Sequence, residues 1–172
     1  MPPETVELLV LDVDGVLTDG RIIYTDSGEL IKVFDVTDGS GIKYWHRAGK
    51  SSAIISGRTS KAVNVRAAEL GIVHVLQDVK DKLPVLKELL RRLDIDPARV
   101  AYVGDDLMDL PAMRMVGFPV AVAQARPEVI QAAQYVTLAS GGRGAVRDVV
   151  EVILKAQGLW EDILTRYARD PG

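Results

Sequence analysis

Short apolar runs alternate along the chain with longer stretches in which apolar residues recur at helical spacing. Val6–Val13 is a near-continuous apolar run, the pattern of a strand covered on both faces by helices. Arg21–Thr25 and Glu29–Phe34 are rich in β-formers and flank Asp26-Ser27-Gly28, a turn signal, which predicts a hairpin. Asp38 is placed to cap a helix running to about Arg47, with Gly49 as its stop. Ser52–Ile55 reads as the next strand. A helix from about Ser60 to Leu70 then ends at Gly71, and Ile72–Leu76 follows as a strand.

Within Asp81–Leu93, the residues Leu83, Leu86, Leu89, Leu90 and Leu93 share one helical face, with Lys and Arg elsewhere. Pro84 is tolerable in the first turn. Val100–Val103 is a short strand, Asp109–Met115 a short helix and Phe118–Val122 another strand. Pro127–Ala133 is a helix, Tyr135–Leu138 a last strand and Ala145–Gln157 a long closing helix. Beyond Gly158 the spacing is again helical, and the terminal Arg169-Asp170-Pro171-Gly172 is expected to fray.

Strands alternating with helices predict an α/β fold, a Rossmann-like parallel sheet with helices on both faces, interrupted by one β-hairpin insertion over about residues 20–35. No linker, repeat or low-complexity stretch divides the chain, so a single domain over residues 1–172 is expected, with a tail from about 158. The interval from Asp14 to Ser56 has room only for the hairpin and one helix. From Ser56 to Lys82 there is room only for a helix and a strand, so no cap domain is expected.

Composition narrows the chemistry. A net charge of −3 and an aromatic content of 5% argue against nucleic acid as an electrostatic or stacking partner. The absence of cysteine removes disulfides, thiolate zinc sites and thiol nucleophiles. Met1-Pro2-Pro3-Glu4 has no basic signal region and no stretch approaches a membrane span, so a cytoplasmic protein is expected.

In such sheets ligands bind beyond the carboxyl ends of the strands. The residues that follow the predicted strands are Asp12, Asp14 and Gly15; Ser56, Gly57 and Arg58; and Gly104, Asp105 and Asp106. Lys82 opens the leucine-striped helix. Carboxylates, a hydroxyl, a lysine and glycines on one rim suit a phosphate bound beside a metal ion. Asp12 and Asp14 are two apart, so in an extended segment they point to the same side and can divide nucleophilic from acid–base work. Turn and cap residues alone would explain one such strand end, but not two together with Ser56 and Lys82.

Asp12-Val13-Asp14-Gly15-Val16-Leu17-Thr18-Asp19-Gly20 resembles the first motif of the haloacid dehalogenase superfamily. Ile55-Ser56-Gly57-Arg58 resembles the second, Lys82 the third and Gly104-Asp105-Asp106-Leu107-Met108-Asp109 the fourth, in the same order. Gly20–Phe34, Asp38-Gly39-Ser40-Gly41-Ile42 and Ser140-Gly141-Gly142-Arg143-Gly144-Ala145-Val146-Arg147 are similar to the small cap-less phosphatases of 3-deoxy-D-manno-octulosonate 8-phosphate. The resemblance implies Asp12 as nucleophile, Asp14 as acid–base, and Mg²⁺ on the Asp12 and Asp105 carboxylates and the Asp14 carbonyl. It further implies Ser56 and Lys82 on phosphate oxygens, with Gly57 and Arg58 offering backbone donors. Asp106 and Asp109 would stand behind the metal ligands or cap a helix. Arg58 and Arg66 match basic residues around the substrate. Arg143 is either a substrate contact or a solvated loop residue. Lys80 beside Lys82 departs from the small polar loop of the family.

Related readings are a phosphatase of a nine-carbon keto-sugar acid phosphate, a less selective sugar phosphatase, and a non-catalytic scaffold that binds a sugar acid or a partner. Arg58 favours the eight-carbon acid, because the nine-carbon relatives carry an acidic residue there. His46 and His74 lack metal-ligand spacing and read as structural, as do Trp45 and Trp160. Ile22, Ile23, Tyr24, Leu30, Ile31 and Val33 put apolar groups on both faces of the hairpin, which predicts a homo-oligomer, a tetramer, with sites completed by neighbours. The tail around Trp160–Tyr167 either reaches a neighbouring site or packs as a helix.

Overall fold

The computed structural model describes residues 4–168. Its strands are β1 (Leu8–Leu11), β2 (Ile23–Tyr24), β3 (Leu30–Ile31), β4 (Ser51–Ile55), β5 (His74–Leu76), β6 (Val100–Gly104), β7 (Phe118–Ala121) and β8 (Tyr135–Val136). Its helices are α1 (Val36–Arg47), α2 (Lys61–Leu70), α3 (Lys82–Leu93), α4 (Leu110–Met113), α5 (Pro127–Ala132), α6 (Ala145–Ala156) and α7 (Trp160–Ala168). The expectation for Arg169–Gly172 lies outside the described residues.

Six strands form a parallel sheet in the order β5-β4-β1-β6-β7-β8. Leu8–Leu11 are wholly buried, which requires cover on both faces of the central strand. Each such side chain contributes about 1.5–3 kcal/mol by leaving water. β1 lies between β4 and β6, with Leu11 opposite Ile54 on one side and Val103 on the other. The chain builds outward from β1 through β4 to β5, then crosses back to β6. Strand order therefore reverses at β1 and β6, and a crevice opens beyond their carboxyl ends. The hairpin forms a separate two-stranded antiparallel sheet, shorter than its apolar residues predict. Only α2 and β5 occupy the interval from Ser56 to Lys82, so no cap domain covers the crevice.

One helix start differs from expectation. Asp35, not Asp38, caps α1, accepting the N–H groups of Thr37 and Asp38. Asp38 falls one turn inside the helix and is buried. Its carboxylate accepts the N–H groups of Gly144 and Arg147 at 3.3 and 3.0 Å, so it caps α6 instead. Burial pushes Asp38 up to about 6 against the pull of these donors. Gly41 lets the two helices meet, since a Cβ there would stand 2.9 Å from Arg147 Cα. α6 buries Val146, Val149, Val150, Ile153 and Leu154 in one stripe. α7 packs back through Trp160 and Ile163, with Trp160 edge-on to Tyr44 at 6.0 Å. His46 is structural as expected, joining Leu70 O and Ser52 Oγ at 3.2 and 2.7 Å.

Candidate active site

The backbone ladder continues one step past β1, where Asp12 N donates to Val103 O at 3.2 Å. That bond sets the Asp12 side chain beside the β6 end that carries Asp105. Gly15 then turns the chain at φ +87°, and a Cβ there would overlap the Asp105 carboxylate. Only glycine allows the two loops to approach this closely. Thr18 is buried beneath the turn, accepting from Gly15 N and Gly20 N at 3.4 and 3.2 Å. Gln124 braces the turn from the far side. Its amide donates to Gly15 O at 2.7 Å and accepts from Gly141 N at 2.9 Å, tying the glycine-rich loop to the Asp14 loop.

Lys82 begins α3, where a cation opposes the helix dipole, and it is almost fully buried. What holds it is two carboxylates. Its Nζ lies 2.9 Å from Asp12 Oδ1 and 2.6 Å from Asp109 Oδ1. Burial pushes the lysine pKa down, but Asp12 and Asp109 outweigh it, so Lys82 stays charged. Lys80 is exposed, so of these two lysines it is Lys82 that meets Asp12 and Asp109.

Asp109 is the hub. It accepts from Lys82 and from Tyr102 Oη at 2.8 Å on one oxygen. On the other it accepts the N–H groups of Asp105 and Asp106 at 3.0 and 3.3 Å. It therefore fixes the Asp105 loop and, with Asp106, forms a reciprocal cap on the short 3₁₀ turn Leu107–Asp109.

Asp12, Asp105 and Asp109 offer carboxylate oxygens within 4.8 Å of one another. Burial and its neighbours Asp12 and Asp109 push Asp105 up to about 7, and burial pushes Asp12 up to about 6 despite Lys82. Asp105 Oδ1 is buried without a hydrogen-bond partner among the described residues. An orphaned carboxylate oxygen among crowded acids is the donor set of a hard divalent cation, and Mg²⁺ fits it.

A cavity of about 250 Å³ opens in front of these groups, lined by Asp12, Asp14, Gly20, Ile22, Ser56, Gly57, Arg58, Asp105, Asp106 and Met108. Most of the residues expected at a phosphate site meet here. Ser56 is buried, with its Oγ 3.4 Å from Arg58 N. Asp14 faces two cations, Arg58 Nε at 3.7 Å and Lys32 Nζ.

Arg66 and Arg143 do not line this cavity. Arg66 donates to Asp35 O and pairs with Glu69, each at 3.2 Å, tying α2 to the start of α1. Arg143 is exposed, 3.9 Å from Asp19. Three contributors escaped the motif reading. Lys32 was legible only as a lone cation in an apolar hairpin strand, Tyr102 as a polar-tipped residue inside a buried strand, and Gln124 gave no signal.

The turn after β1, the lysine at α3 and the acidic turn after β6 define a class. The family of haloacid dehalogenase-like hydrolases matches residues 25–148, and the chain belongs to it. It is 52% identical over 155 residues to 3-deoxy-D-manno-octulosonate 8-phosphate phosphatase KdsC of Salmonella typhi, covering 90% of this chain and 82% of that protein. The crystal structure of the Moraxella catarrhalis phosphatase of the same substrate, in complex with a magnesium ion, a phosphate ion and KDO, is 42% identical with a TM-score of 0.94, covering 95% of this chain and 94% of that one. The cobalt-bound Haemophilus influenzae phosphatase is 40% identical with a TM-score of 0.87, covering 90% of this chain and 91% of the other. No helix among the described residues is long and apolar enough to cross a membrane.

Proposed function

We propose that this chain, acting as one domain, is a Mg²⁺-dependent phosphatase that hydrolyses 3-deoxy-D-manno-octulosonate 8-phosphate to the free sugar acid and phosphate. The observation that carries the reading is the buried Asp12–Lys82–Asp109 cluster beside the unpartnered Asp105 oxygen, behind a cavity whose lining includes Arg58.

An Asp12 carboxylate oxygen attacks phosphorus. The ester P–O bond breaks, and its electron pair goes to the sugar oxygen, which takes a proton from Asp14. Water that gives its proton to Asp14 then attacks the aspartyl-phosphate and releases Asp12 and phosphate. Lys82 and Ser56 bind the non-reacting phosphate oxygens, and the N–H groups of Gly57 and Arg58 add donors. The carboxylates of Asp12 and Asp105 and the carbonyl of Asp14 hold Mg²⁺, which offsets the repulsion between nucleophile and phosphate. Asp106 and Asp109 keep the Asp105 loop in place. The Arg58 guanidinium, exposed at the mouth, suits the substrate carboxylate. Arg143 is a second candidate contact at the rim, whereas Arg66 is turned to Asp35 and Glu69.

The same reading includes a homotetramer in the cytoplasm. Its support is the hairpin, which leaves Ile22, Ile23, Tyr24, Ile31 and Val33 exposed and pairs with no strand of the main sheet. Packing hairpins together would bury that surface and cover the open rim. Light scattering at micromolar concentration tests it, and a fully active monomer would contradict it.

A panel of phosphate esters with Mg²⁺ tests the substrate. The eight-carbon acid should be preferred over its nine-carbon relative, glucose 6-phosphate and nucleotides. Equal rates across the panel would reduce the reading to a general phosphatase.

A further inference from the structure

The hairpin contributes one charged group to the site that no motif accounts for. Lys32 follows β3 directly, yet its side chain is only 1% exposed while its apolar neighbours Ile31 and Val33 face outward. Its Nζ is paired with Asp14 Oδ1. Arg58 approaches the other oxygen, at 3.7 Å, with a side chain 57% exposed. The two cations flanking Asp14 therefore differ. Arg58 is loosely placed and open to a ligand, whereas Lys32 is buried and spent on the carboxylate.

We infer that Lys32 is a positioning residue: it ties the hairpin to the loop after β1 and fixes the Asp14 carboxylate toward the leaving oxygen of the substrate. The inference rests on the proposed reaction, in which the P–O bond breaks as Asp14 hands its proton to the departing oxygen. A carboxylate on a free loop samples rotamers about two torsions. A buried ammonium with three donors on a stem anchored in the hairpin removes that freedom. Among the described residues Lys32 pairs with Asp14 and makes no hydrogen bond or ion pair with Ser56, Lys82 or Asp12, so its effect should be confined to departure of the leaving group.

The test compares wild type with Lys32→Met, close in length and uncharged, on three substrates: the octulosonate 8-phosphate, phenyl phosphate and p-nitrophenyl phosphate. The value kcat/KM reports events up to departure of the leaving group, which separates this step from hydrolysis of the aspartyl-phosphate. Alkoxide and phenolate need a proton to leave, and p-nitrophenolate needs it far less. Lys32→Met should lower kcat/KM about 30- to 100-fold on the sugar phosphate, at or below the lower end of what a general acid contributes, because the acid is loosened and not removed. The loss on p-nitrophenyl phosphate should be at least about tenfold smaller, with phenyl phosphate between them. KM for the sugar phosphate should stay within about threefold, and Lys32→Arg should restore most of the rate.

Equal losses on all three substrates, or none, would overturn the inference and leave Lys32 a packing residue. If Lys32→Met does not fold, Lys32→Gln keeps an uncharged amide donor and should show the same order of losses at smaller size; equal losses there overturn it too. The phenyl and p-nitrophenyl pair needs no sugar recognition. A wild type inactive on the octulosonate phosphate but active on aryl phosphates would thus refute the substrate reading while leaving this test intact.

Discussion

Two regions meet at the cavity, and they are built on opposite principles. On the floor, the wholly buried strands β1 and β6 lead into Asp12 and Asp105, α3 delivers Lys82 from its buried face, and Asp109 accepts from four donors at once. At the rim, the hairpin holds two short strands, touches the cavity through Ile22, and leaves much of its apolar surface exposed. The floor is over-determined, as preorganised electrostatics require. The hairpin is under-packed, and the proposed tetramer would cover it. In the proposed function the floor carries the chemistry, the hairpin reaches it through Lys32 and Asp14, and the rim selects the substrate.

The floor should break hardest. Asp12→Asn removes the anionic nucleophile but little volume, so turnover should fall about a thousandfold or more with the thermal melt retained. Excess EDTA should likewise stop phosphate release, and added Mg²⁺ should restore it; an EDTA-resistant rate would contradict the metal assignment to Asp12 and Asp105. Lys82→Met leaves two buried carboxylates without their cation. Urea titration should show a loss of about 3 kcal/mol, the usual cost of breaking a buried pair, and an unchanged midpoint would mean that the cluster is not stabilised by Lys82.

The rim should give smaller and more selective effects. Changing Ile23 and Ile31 together to Glu should dissociate the oligomer in light scattering and reduce kcat/KM on the sugar phosphate while each chain stays folded. Arg58→Ala should reduce kcat/KM on the sugar acid phosphate about tenfold through KM, with a smaller loss on p-nitrophenyl phosphate.

The same contrast explains what was legible in the sequence. Val6–Val13, Val100–Val103 and the leucine stripe of α3 carry strong local periods, so the central strands and that helix emerge within a few residues of their observed ends. Asp12 and Asp105 follow strands directly and Lys82 opens α3, so their order along the chain points to one rim. Asp38 was misjudged as a cap because Asp35 and Asp38 are three apart and both suit a helix start. Only the packing of α6 onto α1 shows which one caps which helix. The directions of Arg66 and Lys32 are hidden from the sequence for the same reason. Where a long cation points is decided by tertiary neighbours, here Asp35 for one and Asp14 for the other.

The central claim is that phosphate passes through Asp12, and it can be observed directly. Rapid acid quench of the enzyme with radiolabelled sugar phosphate and Mg²⁺, followed by peptide mapping, should find label on the peptide containing Asp12 within a single turnover. Asp12→Asn should carry none. Label on a different residue, or full turnover with no labelled protein at any time point, would contradict the account.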